Sequence, residues 1–213
     1  MTTIGILALQ GDFAEHKQIV ESCGAKAVLI KHAHQLAEID GLIIPGGEST
    51  TIAKLTSNAI DTIFDAIVER AEQGMPVYGT CMGSIFLAKE IEGSTQGRLA
   101  LMDIRVRRNA FGPQKFSREE HVSIPVLGAE PFPVVFIRGP IITWCGPKVE
   151  VFAGVDEGIV MARQENLLVT AFHPEITDDT RVHSYFLRMV ADYRKSCKLS
   201  QPASTPAVLT LVS

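Results

Sequence analysis

The stretch "PVYGTCMGSIFLAKEI" (residues 76–91) joins a buried apolar strand to a helix through a turn that contains a cysteine. Its centre, "GTCMG" (79–83), has the G-x-nucleophile-x-G form of sharp turns that expose a reactive side chain. The start of the following helix favours a thiolate at Cys81, and the backbone N–H of Met82 can point at an oxyanion. The turn therefore predicts a nucleophile, although the motif alone leaves a buried structural cysteine as an equal alternative.

Apolar strand patterns alternate with helical patterns on both sides of this turn. Continuous apolar runs at 3–9, 26–32 and 41–47 predict strands, as does the segment 76–81. Helical spacing of apolar residues predicts helices over 13–24, 60–74 and 83–91, with a short one over 35–41. This alternation is typical of βαβ units around a parallel sheet, where reactive groups gather at the carboxyl ends of the strands.

After about residue 100 the pattern changes to strand-like segments broken by Gly, Pro and Asn. They read "LMDIRVRRN", "EEHVSIPV", "PVVFIRG", "VEVFAGV", "GIVMARQ" and "LLVTAFH", and "QEN" (164–166) predicts a tight hairpin connection between the last two. A helix is expected over 178–197. The Ser/Thr/Pro-rich end predicts a flexible tail, so we expect one domain over residues 1–198 and a tail over 199–213.

Composition excludes several classes of function. The 213 residues carry a net charge of −4, which gives no basic field for nucleic acid. The four cysteines form no CxxC and no zinc-like spacing, so we expect neither a disulfide framework nor a structural metal. The N-terminal apolar run ends at Gln10 and is too short for a signal peptide or a membrane span. These features predict a cytoplasmic protein.

A base for the cysteine is found in "TAFHPEI" (170–176), where His173 also follows an apolar strand. Pro174 ends the strand, and a turn there lets the carboxylate of Glu175 reach back to the imidazole. A carboxylate in that position fixes the tautomer and stabilises the imidazolium, as in a catalytic triad. Taken alone, a strand-end histidine beside an exposed glutamate is the simpler interpretation.

A second glycine-rich turn, "IIPGGESTT" (43–51), again lies between a strand and a helix. Exposed backbone N–H groups at Gly46 and Gly47, next to a helix start, make a site for an anion or an oxyanion. A phosphate loop is the rival interpretation, but the G-x-x-x-x-G-K-[ST] pattern is absent and Glu48 would repel a phosphate. A carbonyl or amino-acid ligand fits this turn better.

Taken together and in this order, "PGGEST", "GTCMG" and "HPE" resemble class I glutamine amidotransferases, which use a Cys-His-Glu triad. The segments "GILALQGDFAEH", "RNAFG", "FIRGP" and "FHPEITDDTRVHSYFLRMV" are more specifically similar to the glutaminase subunits of pyridoxal 5′-phosphate synthases. The resemblance covers about residues 3–195. It implies a three-layer, flavodoxin-like α/β fold with a mostly parallel central sheet, and hydrolysis of L-glutamine to L-glutamate and ammonia through a cysteine thioester.

The resemblance also assigns roles to individual residues. Cys81 would be the nucleophile, His173 the general acid and base, and Glu175 the residue that orients the histidine. The backbone N–H groups of Gly47 and Met82 would hold the oxyanion. The remaining positions would bind the α-amino and α-carboxylate groups of glutamine: Gly46, Gly47, Glu48, Ser49, Arg108, Ile137 and Arg138. An arginine suits a carboxylate because its guanidinium can bind both oxygens.

The family's partner is a (β/α)₈-barrel synthase subunit, which would receive the ammonia in a hetero-oligomer. Pyridoxal 5′-phosphate would be the partner's product, so no cofactor is expected in this chain. The resemblance further implies that docking activates the glutaminase, with Gln10 and His16 facing the partner and completing the oxyanion site.

Three departures and three alternatives qualify this interpretation. Met82 and Ser84 stand where the family usually has a small and a large apolar residue, "FGPQKFSREE" (111–120) is unusual, and Gly139 replaces a common alanine. The alternatives are the glutaminase of another amidotransferase, such as imidazole glycerol phosphate synthase, a cysteine hydrolase or stress protein of the flavodoxin-like superfamily, and a non-catalytic regulatory protein with Met82 filling the pocket. In the hydrolase a histidine commonly follows the cysteine directly, where this chain has Met82.

Overall fold

A twisted sheet of ten strands forms the centre of the protein in the computed structural model, which describes residues 1–47, 61–110 and 118–199. Its strands are β1 (Thr3–Leu7), β2 (Lys26–Ile30), β3 (Gly41–Ile44), β4 (Val77–Thr80), β5 (Ala88–Ile91), β6 (Met102–Arg107), β9 (Ile141–Cys145), β10 (Glu150–Val155), β11 (Gly158–Gln164) and β12 (Leu167–Thr170). The spatial order is β2-β1-β3-β4-β12-β11-β9-β6-β5, and β10 pairs with β11. Strands β7 (Arg118–Val122) and β8 (Phe132–Phe136) form a separate antiparallel pair.

The first five strands in this order are parallel to one another, and the rest are mixed. β2, β1, β3, β4 and β12 pair in parallel, as do β5 and β6. The pairs of β11 with β12, β9 and β10, and of β9 with β6, are antiparallel. Because parallel strands end at one edge, the ends of β1, β3, β4 and β12 lie together.

Helices cover both faces of the sheet, so the predicted three-layer α/β fold is confirmed. The helices are α1 (Phe13–Ser22), α2 (Asp61–Glu72), α3 (Met82–Leu87) and α4 (Arg181–Leu199), with 3₁₀ turns at Ala33–Glu38, Pro125–Leu127 and Pro174–Ile176. Alternate residues of β3 enter two different cores. Leu42 and Ile44 pack with Ile67 of α2, whereas Ile43 packs with Phe186 of α4. Burial of both strand faces explains the continuous apolar runs.

The predicted helix over 83–91 is wrong at its second half. Helix α3 ends at Leu87, and Ala88–Ile91 forms β5, which pairs with β6. Ala88 and Ile91 are buried while the two residues between them are exposed. An apolar pair three residues apart fits a helix as well as an irregular edge strand, so only the pairing with β6 decides the structure.

The other predicted elements are close to those observed. The first and second predicted helices match α1 and α2, and the short one is the 3₁₀ turn Ala33–Glu38. The hairpin at "QEN" is confirmed, since Gln164 pairs with Leu167 and Glu165 has a φ of +54°. Residues 200–213, which carry almost all of the expected tail, lie outside the described part. Within the described part, helices of sufficient length and apolarity for a membrane crossing are absent.

Candidate active site

Cys81 lies in a strained turn between β4 and α3, as the sequence predicts. Its φ of +47° and ψ of −107° are unusual for a residue with a side chain. A β-carbon on Gly83 would stand 2.1 Å from the carbonyl oxygen of Ile44, and one on Gly79 would stand 2.5 Å from the carbonyl oxygen of Gly83. Both glycines are therefore required for the close packing that holds Cys81 in this conformation.

His173 and Glu175 meet at the end of β12, the strand beside β4. His173 Nδ1 lies 2.7 Å from Glu175 Oε1 in a hydrogen bond, and both side chains are buried. The backbone N–H of His173 donates to the carbonyl of Val135 at 2.9 Å, which anchors the residue on β8. The short 3₁₀ turn at Pro174–Ile176 brings the glutamate back to the imidazole. The structure thus brings together the His–x–Glu pair inferred from the sequence.

The electrostatics of this cluster favour a protonated His173. Burial alone lowers the pKa of His173, but hydrogen bonds with Asp12, Cys81 and Glu175 outweigh it and hold the pKa well above its usual value. Contact with His173 lowers the pKa of Asp12, while burial raises the pKa of the Glu175 carboxyl. An imidazolium between two carboxyl groups and a thiol is the arrangement that stabilises a thiolate.

The turn at Gly46–Gly47 lies directly against the cysteine and the histidine. A β-carbon on Gly46 would stand 2.5 Å from His173 Cε1 and 3.3 Å from Cys81 Cβ. The N–H of Gly46 donates to Thr80 Oγ1 at 3.0 Å, which ties the turn to the end of β4. Gly47 has a φ of +148° and contacts the segment at Gln10 and Gly11. Glu48 and Ser49, which the resemblance assigns to substrate binding, lie outside the described residues.

One cleft of about 430 Å³ contains the cysteine, the histidine and both candidate arginines. This volume falls within the range of small-ligand pockets, about 300–1,000 Å³. The described residues that line it are Asp12, Gly47, Cys81, Met82, Ile85, Arg108, Asn109, Ile137, Arg138, Pro140 and His173. Asn109 and Arg138 have φ values of +51° and +49°, so the backbone is strained where it carries the arginines. Arg108 also donates to Gln96 Oε1 at 3.0 Å.

Met82 does not close this cleft. Its side chain is 3% exposed and packs in the core cluster on the α2 side of the sheet, while still forming part of the cleft wall. Ser84, the other departure, is fully buried, and its hydroxyl donates to the carbonyl of Cys81 at 2.6 Å. Both substitutions are therefore accommodated within the turn.

His16 does not face a partner, contrary to the expectation from the resemblance. It is completely buried, and its ring contacts His183, Thr80 and Glu175 behind the catalytic cluster. His16 lies on α1, four residues after Asp12, and a helix residue at that position can point either toward the interior or toward solvent. Its complete burial shows that it points toward the interior. His16 therefore cannot complete the oxyanion site from the surface.

Asp12 and Thr80 are site residues that the sequence interpretation missed. Asp12 Oδ2 lies 3.3 Å from His173 Nδ1, and Thr80 anchors Gly46. Both follow or end strands whose carboxyl ends share the edge with Cys81, which is a signal that could have identified them. Asp12, His173 and Glu175 also present possible metal ligands within 4.8 Å of one another. The hydrogen bond between the last two already accounts for their contact, and the absence of a metal stays a prediction.

Comparison with known proteins supports a glutamine amidotransferase. The model of the SNO glutamine amidotransferase family matches residues 6–192. Two proteins named pyridoxal 5′-phosphate synthase subunit PdxT are similar to the chain. The protein of Moorella thermoacetica is 55% identical over 88% of this chain and 98% of its own length. That of Pelotomaculum thermopropionicum is 52% identical over 92% and 98%, respectively.

Solved structures agree with this assignment. A crystal structure described as a glutamine amidotransferase has a TM-score of 0.82 and 44% identity, and the match covers 88% of this chain and 98% of that one. A structure described as PurLQS from Thermotoga maritima shares the fold alone, with a TM-score of 0.67 at 15% identity over 88% of this chain and 98% of that one. The residue motifs, the cleft and these similarities lead to one conclusion: the chain belongs to the SNO glutamine amidotransferase family.

Proposed function

We propose that Cys81, His173 and Glu175 are the catalytic triad with which this chain releases ammonia from L-glutamine. The chain is a glutaminase subunit of pyridoxal 5′-phosphate synthase, the name carried by relatives that are 52% and 55% identical to it over most of its length. The alternative functions are not favoured. They were the glutaminase of imidazole glycerol phosphate synthase, a cysteine hydrolase or stress protein of the flavodoxin-like superfamily, and a non-catalytic regulatory protein. The observation that carries the triad is the 2.7 Å His173–Glu175 hydrogen bond beside a strained cysteine in one cleft.

The geometry supports a definite division of labour. Glu175 occupies Nδ1 of His173, which leaves Nε2 for the thiol and for the leaving group. The Cys81 thiolate attacks the carbon of the side-chain amide, and the N–H groups of Gly47 and Met82 stabilise the oxyanion. His173 then protonates the departing ammonia, leaving a thioester. The same histidine, now neutral, removes a proton from the water that hydrolyses the thioester to glutamate.

Substrate binding is assigned to the two arginines and the glycine turn. Arg108 and Arg138 both line the cleft that contains Cys81, and either guanidinium can bind the α-carboxylate of glutamine. Ile137 and Gly47 line the same cleft, and a β-carbon on Gly46 would stand 3.3 Å from Cys81 Cβ. The roles of Glu48 and Ser49 rest on the resemblance.

The proposed partner is a (β/α)₈-barrel synthase subunit that receives the ammonia. Partner-dependent activation has a physical basis in the segment Gln10–Asp12. A β-carbon on Gly11 would stand 1.6 Å from the carbonyl oxygen of Gly46, so this segment and the oxyanion turn are in direct backbone contact. Asp12 in the same segment contacts His173. Docking that shifts the segment would therefore adjust both the oxyanion site and the histidine.

The test is glutamate release from L-glutamine by the chain alone and by the chain with a pyridoxal 5′-phosphate synthase barrel subunit, each beside a Cys81→Ala control. We expect release mainly in the complex and none from the variant. Labelling by a glutamine-analogue electrophile should modify Cys81 in the unmodified protein. A folded complex that neither releases glutamate nor becomes labelled would overturn the proposal and favour a regulatory scaffold.

A further inference from the structure

A buried pair of histidines lies behind the triad and has no role in the chemistry described so far. His16 of α1 and His183 of α4 are both 0% exposed, and His16 Nδ1 lies 2.9 Å from His183 Nε2. The other ring nitrogen of His16, Nε2, lies 3.2 Å from Thr80 Oγ1 and 3.4 Å from Glu175 Oε2. A single side chain therefore connects the triad carboxylate, the residue that anchors Gly46 and the last helix.

The hydrogen bonding of two buried atoms in this cluster depends on which ring nitrogens of His16 and His183 carry protons. Within the described part of the chain, Glu175 Oε2 and His183 Nδ1 have no hydrogen bond of good geometry. Glu175 Oε1 already accepts from His173. A buried carboxylate oxygen needs a donor, and the nitrogen that His16 turns toward it can supply one.

Only one arrangement of protons suits both atoms. If His16 carries its proton on Nε2, the N–H points toward Glu175 Oε2 and Thr80 Oγ1, and Nδ1 accepts from His183 Nε2–H. His183 Nδ1 is then a buried acceptor without a donor, which is only mildly unfavourable. The opposite tautomer places a lone pair of His16 against the carboxylate and leaves a buried N–H on His183 without an acceptor, which costs more.

We propose that His16 is a positioning residue for Glu175, held by His183 as the neutral Nε2–H tautomer so that it donates to the triad carboxylate. The proposal rests on the proposed glutaminase function, because its effect on catalysis passes through Glu175 and His173. The sequence of contacts is then His183, His16, Glu175, His173 and Cys81, which links α4 and α1 to the nucleophile.

The surroundings keep His16 neutral. Burial lowers its pKa well below the usual value, and the nearby His183 and His173 lower it further. Burial also lowers the pKa of His183 to about 4. The groups that face His16 are Tyr78 and Thr80 from β4, His183 from α4, and His173 and Glu175 from the turn after β12. A neutral donor stabilises the carboxylate without competing with His173 for its charge.

Three substitutions of His16 separate the hydrogen bond from packing. His16→Gln can place an amide N–H where Nε2 was, whereas His16→Asn places its amide near Nδ1 and cannot reach Glu175. His16→Leu fills the space without a donor. Exposed His34, replaced as His34→Leu, is the control. The measurement is the pH dependence of Cys81 alkylation by iodoacetamide in the isolated full chain, quantified on the Cys81 peptide, because it reports the thiolate without requiring glutamine.

We expect the midpoint of alkylation to rise by about one pH unit in His16→Asn and His16→Leu, the tenfold change typical of losing one hydrogen bond to a charged group. His16→Gln and the control should match the unmodified chain. In the complex with the barrel subunit, the first two variants should lose kcat with KM unchanged. Equal midpoints in all folded variants would overturn the proposal, whereas shifted midpoints without any glutaminase activity would count against the proposed function alone.

A second measurement decides the matter if the variants do not fold. Long-range nitrogen–proton correlation spectra of the unmodified chain report which nitrogen of His16 is protonated. An Nε2–H tautomer is expected. An Nδ1–H tautomer or an imidazolium at neutral pH would overturn the proposal.

Discussion

Gly11 and Gly24 have nearly the same left-handed backbone conformation, with φ values of +84° and +82°. Their surroundings differ completely. A β-carbon on Gly11 would meet the carbonyl oxygen of Gly46 at 1.6 Å, while one on Gly24 would meet nothing within 4 Å. The pair therefore separates the cost of the conformation from the cost of backbone contact at the oxyanion turn.

Replacing each glycine by alanine tests that contact. Gly24→Ala should lower the free energy of unfolding by about 1–2 kcal/mol, the strain of a left-handed residue with a side chain. Gly11→Ala should cost more and should also abolish most glutaminase activity, because the Gly46–Gly47 turn must move. Urea unfolding and glutamate release check both. Equal stability and activity in the two variants would show that the contact is dispensable.

At the scale of single residues, the sequence predicts which side chains are reactive better than it predicts which residues they contact. Cys81, His173 and Glu175 carry recognisable motifs, so their proximity could be inferred. Asp12 and the burial of His16 could not, because both depend on how α1 packs against the turn after β12. A histidine on a helix has the same local pattern whether it points outward or toward Glu175.

Helix α3, which follows Cys81, has only six residues and cannot be stable alone. Ser84 supports its first turn. The hydroxyl of Ser84 donates to the Cys81 carbonyl at 2.6 Å, and its backbone N–H donates to the same oxygen at 3.1 Å. Ser84→Ala should lower the free energy of unfolding by about 1 kcal/mol and leave kcat nearly unchanged, since the carbonyl keeps one donor.

Exposed Ser22 provides the matched control, because its hydroxyl donates to the carbonyl of Ile19 at 2.8 Å with the same spacing. Ser22→Ala should cost almost nothing, since water replaces the bond. Urea unfolding of both variants makes the comparison. A Ser84→Ala variant as stable as Ser22→Ala would show that packing alone holds α3.

Helix α4 makes the stability of the protein sensitive to pH through His183. Burial lowers the pKa of His183 to about 4, below its unfolded value near 6.5. The unfolded chain therefore binds this proton first, so the contribution is absent above pH 6.5 and destabilises progressively as the pH falls to about 4. The difference in pKa corresponds to about 3 kcal/mol.

His183→Gln keeps a donor for His16 and removes the titration. The loss of stability between pH 7 and pH 4 should therefore shrink by up to about 3 kcal/mol relative to the unmodified chain. Denaturant unfolding at a series of pH values measures it, and His34→Gln, on the surface, should change nothing. An unchanged acid profile in His183→Gln would mean that His183 has the same pKa in the folded and unfolded states.

Elements with strong periodicity are predictable from the sequence, and elements decided by pairing are not. α1, α2 and the parallel strands have patterns that match their burial. The local pattern of β5 predicts the end of a helix. In β9 two buried residues are followed by exposed Thr143 and Trp144, so buried and exposed positions do not alternate as in a typical strand with one buried face. β9 exists because Cys145 pairs with Ile104 of β6 and Ile142 with Ile159 of β11, contacts that no local window contains.

At the scale of the whole molecule, the proposed site residues lie at one end of the parallel strands. Some of the hydrogen bonds that stabilise the fold lie at the other end. The carboxyl ends of β1, β3, β4 and β12 carry Asp12, Gly46, Cys81 and His173 nearby. The amino ends of β4 and β12 carry different interactions. There the side chain of Asn166 donates to the carbonyls of Ala71 and Met75 at 2.9 and 2.8 Å, which joins the end of α2 to the start of β12. Substitutions at the carboxyl ends of these strands should therefore affect activity, whereas substitutions at the amino ends should affect stability.

Asn166→Ala and Cys81→Ala test this separation. Asn166→Ala removes two hydrogen bonds to backbone carbonyls and should lower the free energy of unfolding by about 2–3 kcal/mol, yet leave kcat and KM within about twofold at a temperature where it is folded. Cys81→Ala should lose all activity and change stability little, because the two side chains are similar in size. Urea unfolding and glutamate release on both proteins complete the comparison. If Asn166→Ala lowered kcat as much as it lowered stability, the two ends of the sheet would have to be treated as one coupled unit, since β12 and its neighbour β4 run from Asn166 toward His173 and Cys81.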